Sequence, residues 1–256
     1  MASQGLPIGW IFSSLLLSLR VAPVFALAPP FSLTRVPALF RVLFGLGISA
    51  CLVSAHPEAS AINALDLGTL LPIAMRELLL GSIFVLVFQL MFAGLYMAGR
   101  TLDIQAGFGL AVLIDPTTRG QVPLIGTLFA YAAAAVFFAL DGHAELLRIM
   151  GASLDAIPLG TGGLPVTLGR LTSFISVVFM ISFGVAGGAI LCLFLADLAI
   201  AMLSRTVPQM NVLVLGLQVK TILILVVLPT TFGFAGALLA RLARVTLEAL
   251  PGLMRA

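Results

Sequence analysis

Residues 102–123, LDIQAGFGLAVLIDPTTRGQVP, interrupt the helical pattern of the chain, yet the interruption is itself largely apolar. It contains five residues that disfavour a continuous helix, Gly107, Gly109, Gly120, Pro116 and Pro123. The glycines permit positive φ, and each proline removes a backbone donor. The apolar side chains, such as Phe108 and Leu113, would each gain roughly 1.5–3 kcal/mol on full burial. We therefore predict a loop held inside a membrane assembly, which packs against protein or closes a path.

The composition predicts an integral membrane protein. Hydrophobic residues make up 61% of the chain and charged residues 9%, and the mean hydropathy is +1.21. Soluble domains carry about 25% charged residues. The net charge of +3 comes from single, scattered cations, so no basic stripe indicates a nucleic-acid partner. The two cysteines, Cys51 and Cys192, lie in separate apolar runs and are interpreted as small core residues.

Four charge-free runs are long enough to cross a bilayer, whose core of ~30 Å requires about 20 helical residues. They are Leu78–Gly99, Val122–Leu140, Leu171–Ala196 and Thr221–Ala240. The first charge of the chain, Arg20, follows an apolar run instead of preceding it. A cleaved signal peptide is therefore not expected.

The N-terminal region 6–55 is also apolar but is broken by several prolines and arginines. Kinked or half-length helices are predicted there, followed by a solvated loop over 56–67. For Arg20 and Arg41 we expect snorkelling to a membrane interface, and the alternative is a role inside a pore.

Pro72 is well placed to start the next helix, just before Arg76 and Glu77. These two charged residues are adjacent, so their side chains do not face each other on one helix surface. We expect each of them to have a separate partner.

Directly after the run Val122–Leu140, Asp141-Gly142 predicts a turn, and His143 and Glu145 open an amphipathic helix. A spacing of two residues does not bring these side chains onto one helical face. We interpret them as hydrogen-bonded, solvated groups, against the weaker alternative of a metal or catalytic site. The stretch 157–163 is predicted to be a flexible connection.

The C-terminal third predicts a helical hairpin. Within its first helix, Gly184 and Gly188 stand at GxxxG spacing, which permits close helix packing. Pro208 then interrupts the helix, and Asn211 can cap the next one. Asp197 follows a long charge-free run, and Arg205 is too distant on the same helix to pair with it. We expect an interhelical or helix-end hydrogen bond for Asp197, with a proton relay as the alternative.

Sequence signatures of enzymes are missing from the chain. It has no GxxxxGK[ST], no HExxH and no GxSxG, and its single lysine is Lys220. We predict no catalytic residue, no cofactor and no metal site.

Six stretches occur in a fixed order along the chain: Gln105-x-Gly107, Asp115-Pro116, Pro123, DGH at 141–143, IPLG at 157–160 and RTVPQMNVLVLGLQVK at 205–220. Together they resemble the FliR family of flagellar biosynthetic proteins, over nearly the whole chain. The injectisome counterparts of type III secretion share the pattern and remain an alternative. A small-solute transporter with broken helices is a second alternative, although no inverted repeat is visible.

The resemblance implies an all-α membrane protein of about six long apolar helices, several of them kinked or broken. The chain would be a single export-gate domain over 1–256, with a FliP-like part at 1–165 and a FliQ-like hairpin at 166–256. It implies a multi-pass protein of the bacterial inner membrane and the flagellar basal body. The implied partners are FliP-like, FliQ-like and FlhB-like subunits, unfolded flagellar export substrates and membrane lipid.

The resemblance also assigns two groups of site residues. Segment 102–123 matches the plug loop of the family, with gate residues Gln105, Gly107, Phe108, Gly109, Leu110, Val112, Ile114, Asp115, Pro116 and Pro123. The implied partner contacts are Arg205, Pro208, Gln209, Asn211 and Lys220 at the hairpin turn, together with Gly184 and Gly188. Partner helices are expected to cover Arg20, Arg41 and the glycine surface, so the isolated chain is expected to behave poorly.

Overall fold

The computed structural model describes residues 8–33, 36–60, 67–108, 123–161, 168–207, 209 and 211–254. These residues form seven α-helices, a short 3-10 turn at Phe31–Leu33 and no strand. The helices are α1 Ile8–Leu27, α2 Ala38–Ala55, α3 Leu67–Gln105, α4 Leu124–Ala139, α5 Gly142–Ala156, α6 Leu168–Thr206 and α7 Val212–Met254.

Five helices are long and apolar enough to cross a membrane, namely α1, α2, α3, α6 and α7. A sixth span is possible if α4 and α5, which are bent by 71° at their junction, count as one. The prediction of an all-α membrane protein with about six apolar helices is confirmed. Helix α7 has 43 residues and so is about 65 Å long, twice the ~30 Å of a bilayer core.

One predicted helix start was wrong, and so was the half-length alternative that was predicted for the N-terminal helices. Helix α3 begins at Leu67, so Pro72 lies inside it instead of starting it. In the N-terminal region, α1 has 20 residues and α2 has 18, so both are full-length candidates instead of half-length helices. Pro23 lies within the last two turns of α1 without ending it.

The chain forms two compact units, and the first consists of residues 1–90, 137–174 and 245–256. Its helices approach closely at glycines: a Cβ on Gly45 would lie 2.6 Å from the Cα of Ala22. Its aromatic side chains pack edge to face, as Phe88 does against Phe137 with ring centroids 5.7 Å apart. The close approach of the helices and the edge-to-face packing of the rings bury the apolar side chains of this unit.

Arg20 lies at the centre of this unit, and the prediction that it snorkels was wrong. Its side chain is 1% exposed, and its Nε donates to Oε2 of Glu77 at 2.6 Å. It also donates to the carbonyl oxygens of Ser153 (3.1 Å) and Ile157 (3.0 Å), at the end of α5. Three helices are thus joined by one guanidinium. Arg20 therefore needs no partner subunit to cover it, contrary to our expectation.

Glu77 pairs with Arg20 and not with its neighbour Arg76. Two buried nitrogens of Arg76, Nε and Nη2, have no partner among the described residues, so the expectation of a separate partner is confirmed for Glu77 alone. Arg41 is half-buried, and its Nη1 donates to the carbonyl of Ala26 at 2.5 Å. The Arg41 side chain therefore contacts the C-terminal end of α1, and it does not extend only towards a membrane interface.

The turn predicted at Asp141-Gly142 is confirmed. Asp141 adopts a left-handed backbone with φ 54°, and α5 begins at Gly142. His143 and Glu145 lie in the first turn of that helix, as predicted. Across the described residues, no group of His, Cys, Asp and Glu is placed to hold a metal ion.

The second unit consists of residues 91–136 and 175–244. It contains the end of α3, most of α4 and the hairpin of α6 and α7. Helices α3 and α4 cross at a pair of glycines, where a Cβ on Gly99 would lie 2.2 Å from the Cα of Gly126. No side chain other than hydrogen can be accommodated at Gly99. This unit holds the described members of both groups of predicted site residues.

Candidate functional site

The C-terminus of α3 lies inside the apolar interruption. The predicted start of the loop at Leu102 was wrong, because α3 continues to Gln105. Gly107 has φ 89°, its N–H donates to the carbonyl of Ile104 (3.1 Å), and the N–H of Phe108 donates to the carbonyl of Asp103 (2.9 Å). This pair of bonds is a Schellman motif, in which a left-handed residue closes the last turn of a helix. The prediction of positive φ at Gly107 is confirmed.

Gly107 also packs against the second helix of the hairpin. A Cβ at this position would lie 2.6 Å from Cδ2 of Leu217 in α7. A larger residue is thus disfavoured by its backbone conformation, and the end of the Leu217 side chain would also have to move. The start of the interruption is fixed against α7.

The N-terminus of α4 is where the interruption ends. The residue before α4 is Pro123, which has no side-chain acceptor with which to cap the helix. Asp103 supplies one from α3: the N–H of Ile125 donates to its Oδ1 at 3.2 Å, and its side chain is 6% exposed. The first turn of α4 is therefore capped by another helix.

Two acceptor oxygens in the last turns of α3 have no hydrogen-bond partner among the described residues. They are Oδ2 of Asp103 and Oε1 of Gln105, and both are buried. Buried acceptors normally receive a hydrogen bond, because an unpaired one loses its interactions with water. An unpaired buried oxygen also occurs at Ser182 in α6, so this feature is not confined to the base of the interruption.

The structure brings four of the predicted gate residues to this base: Gln105, Gly107, Phe108 and Pro123. The other six, Gly109, Leu110, Val112, Ile114, Asp115 and Pro116, lie outside the described residues. Phe108 and Pro123 are both partly buried. The base of the interruption, Asp103–Phe108 together with Pro123–Gly126, is called the loop base below.

The hairpin turn carries the second group of predicted residues. Asn211 caps α7, because its Oδ1 accepts from the N–H of Val214 at 3.3 Å, as predicted. Arg205 and Gln209 are exposed beside it. Pro208 lies outside the described residues.

Asp197 and Lys220 form an ion pair that joins α6 to α7. Asp197 stands twelve residues before Gln209 and Lys220 eleven residues after it, so an antiparallel hairpin brings them level. The expectation of an interhelical bond for Asp197 is confirmed. Its partner is Lys220, which was not predicted; only Arg205 was weighed as a partner from the sequence.

Gly184 and Gly188 lie along a shallow groove of about 230 Å³ between α6 and α7. A Cβ on Gly184 would touch only Leu238, at 3.9 Å, and one on Gly188 would meet no atom within 4 Å. The helices of the hairpin therefore do not use Gly188 for close packing, and its surface is open.

Asp103 is the residue of the loop base that sequence reasoning missed. Two signals were available: it is the only carboxylate in the long run of α3 after Glu77, and α4 begins after a proline that cannot cap it. A helix without its own cap needs an acceptor from elsewhere, and Asp103 is the last acidic residue of α3.

Comparisons with known proteins place these features in a family. Residues 11–245 match the sequence profile described as bacterial export proteins, family 1. The flagellar biosynthetic protein FliR of Bacillus subtilis is 29% identical over 245 residues, 94% of this chain and 93% of the relative. FliR of Escherichia coli is 25% identical over 77% of this chain and 76% of its own. The secretion system apparatus protein SsaT of Salmonella typhimurium is 29% identical over 54% of each chain.

Proposed function

We propose, from the premise that this chain belongs to the bacterial export proteins, family 1, that it is a non-enzymatic core subunit of the flagellar type III protein export gate. The chain is a multi-pass membrane protein and a subunit of a type III export apparatus. The family match over residues 11–245 is the observation that carries the proposal. Its proposed location is the bacterial inner membrane, within the flagellar basal body.

The extent of similarity favours the flagellar system over the injectisome. The relative named FliR from Bacillus subtilis aligns over 94% of this chain, whereas SsaT aligns over 54% and the Yop proteins translocation protein T of Yersinia pestis over 61%. The match to the flagellar relative thus covers nearly the whole chain, and each match to a secretion-system relative covers less than two thirds of it. The injectisome role remains the second candidate because these relatives are of comparable identity.

The exposed apolar surface supports assembly with other membrane subunits. Side chains such as Phe234 (84% exposed), Leu213 and Met202 cover the outside of the hairpin. Lipid or partner helices must cover them. We propose FliP-like and FliQ-like subunits as the neighbours and an FlhB-like subunit at the hairpin turn.

Purification from the host membrane in mild detergent tests this proposal. A tagged chain should elute in one large complex with FliP-like and FliQ-like proteins, because the open surface at Gly188 and the apolar face of α7 need cover. Mass spectrometry of the eluted complex identifies the subunits. A stable, monodisperse monomer or homodimer would support a small-solute transporter instead.

We further propose that the part of the interruption from Gln105 to Pro123 obstructs the conduit of the gate at rest and moves aside when an unfolded substrate passes. Its apolar side chains can close a path to water, and its glycines give the backbone freedom to move. The loop base supports this role, because a fixed base confines movement to the segment between its two ends.

The orientation of the hairpin comes from the family resemblance. Counting charges does not settle it, because Arg205 and Lys220 lie at one end of the hairpin and Arg241 and Arg244 at the other. We propose that the turn faces the cytoplasm.

Labelling at position 209 tests the orientation. Gln209 is exposed at the turn, so a Gln209→Cys variant in which Cys51 and Cys192 are replaced by serine presents a single accessible thiol. A membrane-impermeant maleimide should label it in inverted vesicles and not in intact spheroplasts. The same variant treated with a permeable reagent is the control. Labelling from the periplasmic side would reverse the proposed orientation.

A further inference from the structure

We propose that Asp103 is a positioning residue that clasps the two ends of the interruption. Its side chain joins the last turns of α3 to the first turn of α4, and these are the helices from which the interrupting segment leaves and to which it returns. The inference rests on the proposed function, because positioning matters only if the segment between the two helices acts as a seal.

The backbone and the side chain of Asp103 serve opposite ends of the interruption. Its carbonyl oxygen accepts from the N–H of Phe108 at 2.9 Å, the bond that ends α3. Its Oδ1 accepts from the N–H of Ile125 at 3.2 Å, within the opening turn of α4. One residue thus fixes where the segment departs and where it rejoins the helices.

The surroundings make this contact strong. The amides of the first turn of α4 carry partial positive charge, which favours a carboxylate. Asp103 is buried, so water does not compete for the bond. The glycine crossing of Gly99 and Gly126 brings the two backbones together one turn away and sets the distance that the short aspartate side chain must bridge.

Helix capping alone does not require an acceptor on a different helix. Serine or aspartate at the position of Pro123 would cap α4 locally, since that residue directly precedes the helix and its carbonyl already accepts from the N–H of Thr127 at 2.9 Å. Placing the acceptor on α3 instead ties two helices together. This difference separates a clasp from a simple cap and can be tested.

The experiment uses the assembled complex with spin labels on Ile104 and Leu128, two exposed residues on either side of the contact, after serine replacement of Cys51 and Cys192. Asp103→Ala should broaden the distance distribution between the labels and raise resting ion conductance. Losing a side-chain cap also raises the fraction of open amides in the first turn of α4 by about fivefold, which hydrogen exchange measures. Asp155→Ala, which removes an exposed carboxylate, is the matched control.

The double variant Asp103→Ala/Pro123→Ser decides between clasp and cap, with Pro123→Ser alone as its baseline. If Asp103 is a clasp, hydrogen exchange in α4 recovers in the double variant, but the label distances stay broad and the conductance stays raised. Recovery of all three would overturn the proposal, because local capping would then suffice. A wild-type distance distribution in Asp103→Ala would overturn it as well.

Two further outcomes keep the test decisive. If Asp103→Ala does not assemble, Asp103→Glu retains the charge and lengthens the side chain by one methylene group. The label distance should then increase while the subunits stay together, and an unchanged distance would contradict a clasp. If the distances broaden but the conductance does not rise, the clasp stands, and it is the proposed sealing role of the interruption that fails.

Discussion

Replacing Arg20 with alanine should greatly reduce the amount of folded protein in the membrane. The substitution leaves Glu77, which is 0% exposed, as a buried carboxylate without its cation, and it removes the donors of the Ser153 and Ile157 carbonyls. Breaking a buried ion pair in this way costs about 3–5 kcal/mol. Domains are stable by only about 5–15 kcal/mol, so the loss is a large part of the total. The amount extracted in mild detergent and its thermal midpoint measure the effect.

Arg148→Ala is the matched control for this experiment. Arg148 pairs with Glu145 at 3.2 Å, but its side chain is 79% exposed, and exposed pairs contribute about 0–1 kcal/mol. The control should behave as the unaltered protein does. The double variant Arg20→Leu/Glu77→Leu should recover part of the loss, because it leaves no charge buried. Equal stability of Arg20→Ala and Arg148→Ala would show that the pair is not a structural centre.

The helices of this protein were predictable because apolar runs are long and the bilayer fixes their minimum length. The hairpin, the cap at Asn211 and the left-handed Gly107 each follow from local chemistry, and the structure confirms them. The boundaries were less predictable. Pro72 looked like a helix start because proline lacks a donor, but α3 continues one turn before it.

Contacts between distant helices could not be predicted from the sequence. Arg20 and Glu77 are 57 residues apart, and nothing in either segment indicates that the two side chains meet. The rule that cations snorkel assumed that lipid surrounds α1, whereas α3 and α5 enclose this arginine. The partner of Asp197, in contrast, was predictable. The helical hairpin was predicted, and in an antiparallel hairpin Lys220 lies level with Asp197.

Deleting Phe108–Ile114 should raise the resting ion conductance of assembled gates and leave the association of the subunits intact. The deletion removes the apolar part of the proposed seal, while α3 and α4 on either side keep their crossing at Gly99 and Gly126. A second variant keeps the length and replaces the same seven residues with glycine and serine. It separates the loss of apolar side chains from a shortening of the chain, and we expect it to leak as well.

The measurement that tests the whole account most directly is this conductance, recorded from purified complexes of the chain with its partner subunits in planar bilayers. It requires that the chain assembles with other subunits, that the assembly encloses a conduit and that the interruption closes it. We predict a closed resting state for the unaltered complex and a steady leak for the deletion. A deletion complex that assembles fully and conducts no more than the unaltered one would contradict the account, and the seal would then belong to another subunit.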